Sequence, residues 1–245
     1  MTKNIDNVQK HLGSFCTLGP DVLEILCAGP VDCILLDAQH GLWELPQLRE
    51  GLRATEARQV KAIVRLPASG TWMVESLLDA GFQSMVFPMV NTPAQARDCV
   101  QACYYPPLGL RSQSSCRASL HHGSDYRQQF NDRFELLVMI EHVDAVAVLD
   151  KILDVPGVCG CIIGPSDLGS SLLTDHTQQQ LEECIQTTLQ TCKQRGKTVG
   201  IAATDMQKAH QRFEQGFDIV FVTTDRKLLI QSVAKMKQDW KALHE

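Results

Sequence analysis

Ile34-Leu35-Leu36-Asp37-Ala38-Gln39-His40-Gly41 is the stretch on which the fold turns. An apolar run stops at an aspartate, a histidine follows three residues later, and a glycine comes next. A short apolar run bounded in this way reads as a fully buried strand. Where that strand ends, the carboxylate of Asp37 and the imidazole of His40 can meet as an acid–base dyad. Arg65, Glu141 and Asp167 also stand where apolar runs end, and this recurrence reads as an enzyme.

Outward from Cys33–Asp37, further strands are expected at Gly13–Thr17, Lys61–Leu66, Ser84–Pro88, Glu135–Glu141, Gly160–Gly164, Thr198–Ala202 and Asp218–Val222. Helical periods fill the gaps. Thr92-Pro93-Ala94-Gln95 has the form of a helix start, with Thr as N-cap, Pro at the first position and Gln three residues after the cap. Thr204-Asp205-Met206-Gln207 looks similar. A long helix over Gln178–Arg195 should stop at Gly196. Another over Asp225–His244 puts Leu228, Leu229, Val233, Met236, Trp240 and Leu243 roughly on one face. Strands alternating with helices imply parallel pairing and right-handed crossovers. About eight such units fit a single (β/α)8 barrel domain over residues 1–245. A doubly wound open sheet is the alternative, but it usually carries a Gly-rich fingerprint after its first strand. The stretch Tyr104–Arg133 lacks a clear strand and reads as a long loop over the active-site face.

Of the 245 residues, 44% are hydrophobic and 21% charged, which suits a packed core and excludes a disordered chain. The net charge of −5 comes without a basic block, so nucleic acid is not expected as a partner. No apolar run is long enough to span a membrane, and Met1–Asp6 lacks a signal-peptide character. A soluble, cytoplasmic protein is expected. The ten cysteines form no CxxC pair and no zinc-finger spacing, so they read as reduced core thiols.

In a barrel, chemistry gathers at the C-terminal ends of the strands. Glu141 there is a salt-bridge or helix-capping carboxylate and Asp167 a plain helix N-cap, or the two are a pair holding a hard divalent ion such as Mg2+ or Mn2+. Gly164-Pro165-Ser166-Asp167-Leu168 has a second use. A helix starting near Ser166 offers free N–H groups to a substrate carboxylate, with Gly164 allowing close approach. Arg65 is either an ion-pair partner on a neighbouring strand or a cation that stabilises a developing enolate oxygen. His40, oriented by Asp37, is a candidate general base. His121, His122, His142 and His176 read as solvated, although His121 or His122 reaches the substrate if the long loop folds over the site. No lysine stands at a strand's C-terminal end, which disfavours Schiff-base chemistry.

These residues, in this order, resemble the HpcH/HpaI family of metal-dependent pyruvate-class aldolases. The matching pieces are Asp37-Ala38-Gln39-His40-Gly41, Val64-Arg65-Leu66-Pro67, Pro88-Met89-Val90-Asn91-Thr92, Tyr105-Pro106-Pro107-Leu108-Gly109-Leu110-Arg111, the strand ending in Glu141, and Gly164-Pro165-Ser166-Asp167-Leu168. The resemblance implies a modified TIM barrel and a divalent metal (Mg2+, Mn2+ or Co2+) on Glu141 and Asp167. It implies His40 with Asp37 as the base dyad, Arg65 as the enolate-stabilising cation, and the backbone of Gly164-Pro165-Ser166-Asp167 as the seat of the pyruvate carboxylate. It further implies a homo-oligomer, a trimer or hexamer, in which dimers exchange the last helix. The implied reaction cleaves a 4-hydroxy-2-oxo acid to a 2-oxo acid and an aldehyde through an enolate. Oxaloacetate decarboxylation, a specialised biosynthetic condensation and acyl-CoA lysis are the alternatives. Three positions depart from the family pattern. Gln39 replaces a common Glu, Met139 a common Gln, and Ser112 a common Gly. Since side chains two apart on a strand point the same way, Met139 should face the barrel beside Glu141.

Overall fold

The computed structural model describes residues 10–67, 71–172 and 178–244. His176 and the first nine residues therefore lie outside the described residues. The chain runs β1 (His11–Cys16), α1 (Pro20–Cys27), β2 (Cys33–Asp37), α2 (Leu45–Arg58), β3 (Lys61–Arg65), α3 (Thr71–Ala80), β4 (Ser84–Phe87) and α4 (Pro93–Cys103). Two short helices follow, α5 (Arg117–His122) and α6 (Tyr126–Arg133). Then come β5 (Glu135–Ile140), α7 (Val143–Ala147), α8 (Leu149–Leu153), β6 (Val158–Ile163), α9 (Pro165–Ser171) and α10 (Gln178–Gln194). The chain closes with β7 (Thr198–Ala202), α11 (Met206–Gln215), β8 (Ile219–Thr224) and α12 (Asp225–Ala242).

All neighbouring strands pair in parallel, and β8 pairs with β1, so the sheet is a closed eight-stranded barrel rather than a doubly wound open sheet. Alternate residues fill the interior: Cys33 and Leu35 of β2, Ile63 of β3, Val86 of β4, Leu137 and Met139 of β5, and Ile162 of β6. The residues between them, such as Ile34, Leu36, Val64 and Val138, pack outward against the helices. Both faces of each strand are thus dry, which is why the strands read as unbroken apolar runs.

Local signals act as expected at most element ends. Thr92 caps α4 by accepting from the Gln95 N–H at 3.2 Å, and the Gln95 side chain returns to the Thr92 N–H. Gly196, just past α10, sits at φ +61°, a conformation a side chain would strain. At α11 the expected cap shifts by one residue. Asp205, not Thr204, receives the Lys208 N–H at 2.8 Å, because a carboxylate is the stronger acceptor for a helix N-terminus. All ten cysteines are free thiols.

One expectation fails. The Tyr104–Arg133 segment is neither a plain loop nor over the active-site face. It contains α5 and α6, and His121 and His122 lie beside Lys61, Ser84 and Glu135, the first residues of β3, β4 and β5. Since α4 runs back antiparallel to β4, whatever follows α4 begins at the N-terminal mouth of the barrel. Arg111 pins the segment there. Its buried guanidinium donates to Asp79 at 2.8 Å and to the Tyr126 hydroxyl at 3.2 Å, between the rings of Tyr105 and Phe130.

The helix α12 forms where the periodicity places it. Only Asp225 of this helix is buried. Ile230, Val233, Met236 and Trp240 are each more than 60% exposed, so the apolar face legible in the sequence is bare in the single chain. Asp225 itself ties α12 to the barrel rim. Its carboxylate accepts from the Thr17 N–H and hydroxyl and from the Leu18 N–H at 2.7–2.8 Å. Burial alone would raise its pKa, but these hydrogen bonds outweigh it and hold the group below the usual carboxylate range.

Candidate active site

The C-terminal rim of the barrel brings Asp37, His40, Arg65, Glu141 and the Gly164–Asp167 turn to one end of the molecule. Asp37 closes β2 and Arg65 closes β3, and the two residues are direct register partners. Both side chains point inward and pair through two hydrogen bonds, Arg65 Nε to Asp37 Oδ1 at 2.9 Å and Nη2 to Oδ2 at 2.7 Å. This bidentate fork is largely shut off from water. The remaining capacity of Asp37 Oδ1 goes to the backbone N–H groups of Gln39 and His40. Asp37 therefore holds the β2–α2 turn and the guanidinium, and among the described residues no hydrogen bond or ion pair joins it to the His40 imidazole. That side chain is exposed. The Asp37–His40 dyad read from the sequence is thus replaced by an Asp37–Arg65 pair, because the strand register offers Asp37 a permanent cation on its own layer.

The third nitrogen of Arg65 points across the barrel. Nη1 lies 3.6 Å from the thioether of Met139 and 3.9 Å from Glu141 Oε1. Met139 faces inward, as its position two residues before Glu141 requires. The ring of Phe15, centred 5.4 Å from the guanidinium carbon, lies against the same group. A thioether is a weak acceptor, so Nη1 keeps most of its donor capacity for something else.

Glu141 follows β5 immediately and is buried. Its Oε2 accepts the Met89 N–H at 3.1 Å. Met89 adopts φ +54°, an uncommon conformation for a non-glycine residue, which aims its N–H at the carboxylate. On the other side, a Cβ at Gly164 would stand 2.7 Å from Glu141 Oε1, so only glycine lets β6 approach this closely. Burial pushes the Glu141 carboxyl above its usual range. The Met89 N–H and Arg65 pull it back, Asp167 pushes it up, and His40 pulls it down. Asp167 and His40 are therefore both within electrostatic reach of Glu141.

Asp167 lies in the first turn of α9 and is exposed, with no hydrogen bond or ion pair among the described residues. The helix-cap alternative for Asp167 is not realised. Gly164 is the N-cap and no side chain caps the helix, so the N–H groups of Ser166 and Asp167 have no intrahelical acceptor. Pro165 at the first position has no N–H to lose.

A divalent cation fits this donor set. The carboxylates of Glu141 and Asp167 feel each other's charge; one is buried and short of positive partners, and the other is unpaired among the described residues. Among the described residues no group of three or more His, Cys, Asp or Glu could enclose a metal. A hard ion on two carboxylates that completes its shell with water and substrate oxygens matches that arrangement. Lys61 opens β3, and Lys197, which precedes β7, donates to the Val158 carbonyl, so both lie at the opposite end.

Three contributors were not legible in the sequence as site residues. Met89 acts through its backbone, and its left-handed φ has no residue-type signal. Phe15 is one apolar residue among many on a buried strand. Asp225, which knits β8 to the β1–α1 turn, looked only like the first residue of a helix. Of the departures, Gln39 donates its N–H to Asp37 while its side-chain Oε1 is buried without a partner, and Ser112 bonds to Glu75.

Residues 16–232 match the HpcH/HpaI aldolase/citrate lyase family. A hydroxypyruvate/pyruvate aldolase of Deinococcus radiodurans is 34% identical over 94% of this chain and 86% of its own length. A 4-hydroxy-2-oxo-heptane-1,7-dioate aldolase of Klebsiella pneumoniae is 33% identical over 84% of this chain and 80% of its own. Among solved structures, an HpcH/HpaI aldolase/citrate lyase family protein of Burkholderia cenocepacia superposes with a TM-score of 0.88 at 30% identity, over 96% of each chain. The barrel, the order of its strand-end residues and these matches agree: the chain belongs to the HpcH/HpaI aldolase/citrate lyase family and is a carbon–carbon lyase.

Proposed function

We propose that the protein is a divalent-metal-dependent aldolase that cleaves a 4-hydroxy-2-oxo acid into pyruvate, or a related 2-oxo acid, and an aldehyde, and runs the reverse condensation. The observation that carries this reading is the convergence of Arg65, buried Glu141 and uncapped α9 on one end of the barrel. The aldolase names of the curated relatives favour it over decarboxylation or acyl-CoA lysis.

Glu141 and Asp167 would hold the ion, which when bound supplies Lewis-acid polarisation of the 2-oxo group. Mg2+, Mn2+ and Co2+ all suit the ligands. The N–H groups of Ser166 and Asp167 receive the substrate carboxylate, beside Gly164 and Pro165. Arg65 Nη1 donates to the oxygen on which negative charge develops as the C3–C4 bond breaks. Asp37 keeps the guanidinium in that orientation and so is a positioning residue. His40, exposed at the rim, takes the C4-hydroxyl proton in cleavage and returns one in condensation. Met139 and Phe15 limit water around the guanidinium, which strengthens its interaction with the enolate.

Proton exchange of pyruvate tests the chemistry without knowledge of the aldehyde. In D2O the methyl signal of pyruvate should decay in NMR when the protein and Mg2+, Mn2+ or Co2+ are present. Absence of exchange with every metal, in a folded sample, would sink the reading.

We infer further that α12 packs on a second copy of this chain within a trimer or hexamer. Its bare apolar face, attached to the barrel only through its N-terminal end, supports this. Introducing Val233→Glu with Trp240→Glu is expected to reduce the species seen in sedimentation to the 27.2 kDa monomer. An unchanged assembly would rule out α12 as the contact. Among the described residues no helix is long and apolar enough to cross a membrane, so a bilayer-spanning role for α12 has no support.

A further inference from the structure

On the flank of the barrel, toward its N-terminal mouth, α2, the end of α3 and the segment leading into α5 enclose a groove of about 390 Å3. Its walls carry Arg49, Arg53 and Arg117 and a single carboxylate, Asp79. The carboxylates nearby are already committed. Asp79 accepts from Arg111 at 2.8 Å, and Glu56 takes both terminal nitrogens of Arg117. The Ala80 carbonyl fixes Arg117 further, accepting from Nη1 at 2.7 Å. Arg49 and Arg53 are exposed and have no hydrogen bond or ion pair among the described residues. They stand one helical turn apart on α2, where like charges destabilise a helix. Four guanidinium groups against two carboxylates leave two positive charges in and behind the groove. None of these residues belongs to the candidate active site, which occupies the opposite end of the barrel.

We propose that this groove binds a phosphate group, either the free ion or a phosphomonoester, through Arg49 and Arg53 with Arg117 as the preset third cation. A phosphate carries about −1.5 to −2 charges at neutral pH, which matches the local excess. Planar guanidinium forks suit its oxygens better than a point charge would. The Ser115 hydroxyl, on the groove wall and without a partner among the described residues, adds a neutral donor.

Calorimetric titration of the metal-free protein in low-salt buffer tests the site, with inorganic phosphate in one arm and glycerol 3-phosphate in the other. Saturable binding of one ligand per chain is expected. Arg49→Gln and Arg53→Gln should each weaken it at least about tenfold. Arg58→Gln, an exposed control at the end of α2, and Glu141→Ala should leave it unchanged. Tighter binding of glycerol 3-phosphate assigns an ester and equal binding assigns the free ion; both uphold the site. Wild-type affinity in the Arg49 and Arg53 variants, or equal heats from chloride at matched ionic strength, overturns it.

Discussion

Replacing Arg65 by alanine is expected to lower kcat by about 10²–10³-fold, the usual cost of removing one donor to a developing oxyanion. The same change strips Asp37 of its bidentate partner, and Asp37 is buried at the end of β2. An uncompensated buried charge costs about 3–5 kcal/mol. The alanine variant should therefore be both slow and unstable, and these two effects must be separated. Arg65→Lys retains the charge but loses the planar fork, so it should fold better and still turn over poorly. Asp37→Asn offers the complementary check. It leaves Arg65 in place but turns one acceptor of the fork into an NH2 donor, so one of the two hydrogen bonds is lost and kcat should fall less than in Arg65→Ala. Wild-type turnover in a folded Arg65→Lys or Arg65→Ala protein would remove Arg65 from the chemistry.

Glu141→Ala is expected to weaken Mn2+ binding by at least about a hundredfold, beyond what loss of a supporting group would cause. Titration followed by Mn2+ paramagnetic resonance reads this directly, and retention of wild-type affinity would mean that Glu141 is not a ligand. Stability should move the other way. Burial raises the Glu141 pKa above that of the unfolded chain, so at neutral pH the charged carboxylate is less favourable in the folded protein than in water. The cost is present above the raised folded pKa and disappears as the pH falls below the unfolded value. In metal-free protein near neutrality, Glu141→Gln is therefore expected to melt no lower than wild type. Gly164→Ala probes the same carboxylate from outside. Its Cβ would meet Glu141 Oε1 at 2.7 Å, so the side chain must shift and metal affinity should drop while Glu141 itself remains.

The expected tolerance of Glu141→Gln expresses a general trade. Groups placed for function often stand in surroundings that penalise them in the empty protein. Glu141 is buried in such a place, while Asp37, at the same depth, is fully compensated by Arg65 and by two backbone N–H groups. Two buried carboxylates at the same end of the barrel, on β2 and just after β5, thus have different tasks: one fixes the guanidinium, and the other is left short of partners at the point where a cation fits.

Much of the barrel was legible because its strands are buried on both faces. An apolar run such as Cys33–Asp37 leaves little choice of element, and its polar terminator marks the rim on which side chains become available. The register that joins Asp37 to Arg65 was not legible, since it depends on how far β3 slides along β2 when the barrel closes. Proximity in sequence suggested His40 as the partner of Asp37, whereas the partner lies 28 residues away, side by side across the sheet.

The Tyr104–Arg133 segment shows a different limit. Its prolines, glycine and serines signalled an irregular stretch, but α5 and α6 form around Arg111 and the rings of Tyr105, Tyr126 and Phe130, with Tyr105 and Phe130 in contact across 25 positions. Its place at the N-terminal mouth follows from the direction of α4, not from its composition. For α12, periodicity correctly marked an apolar face, but periodicity cannot say whether that face meets the same chain or another.

By itself, then, the sequence determined the alternation of buried strands and helices, the closed barrel it implies, and the set of charged residues stationed at the strand ends. Those features depend on local pattern and on the dryness of both sheet faces. Only the tertiary structure decided which charges pair, that Met89 and Gly164 shape the surroundings of Glu141, and that α12 stays bare. Each of these depends on register, backbone conformation or packing between segments distant in the chain, where residue type alone carries no signal.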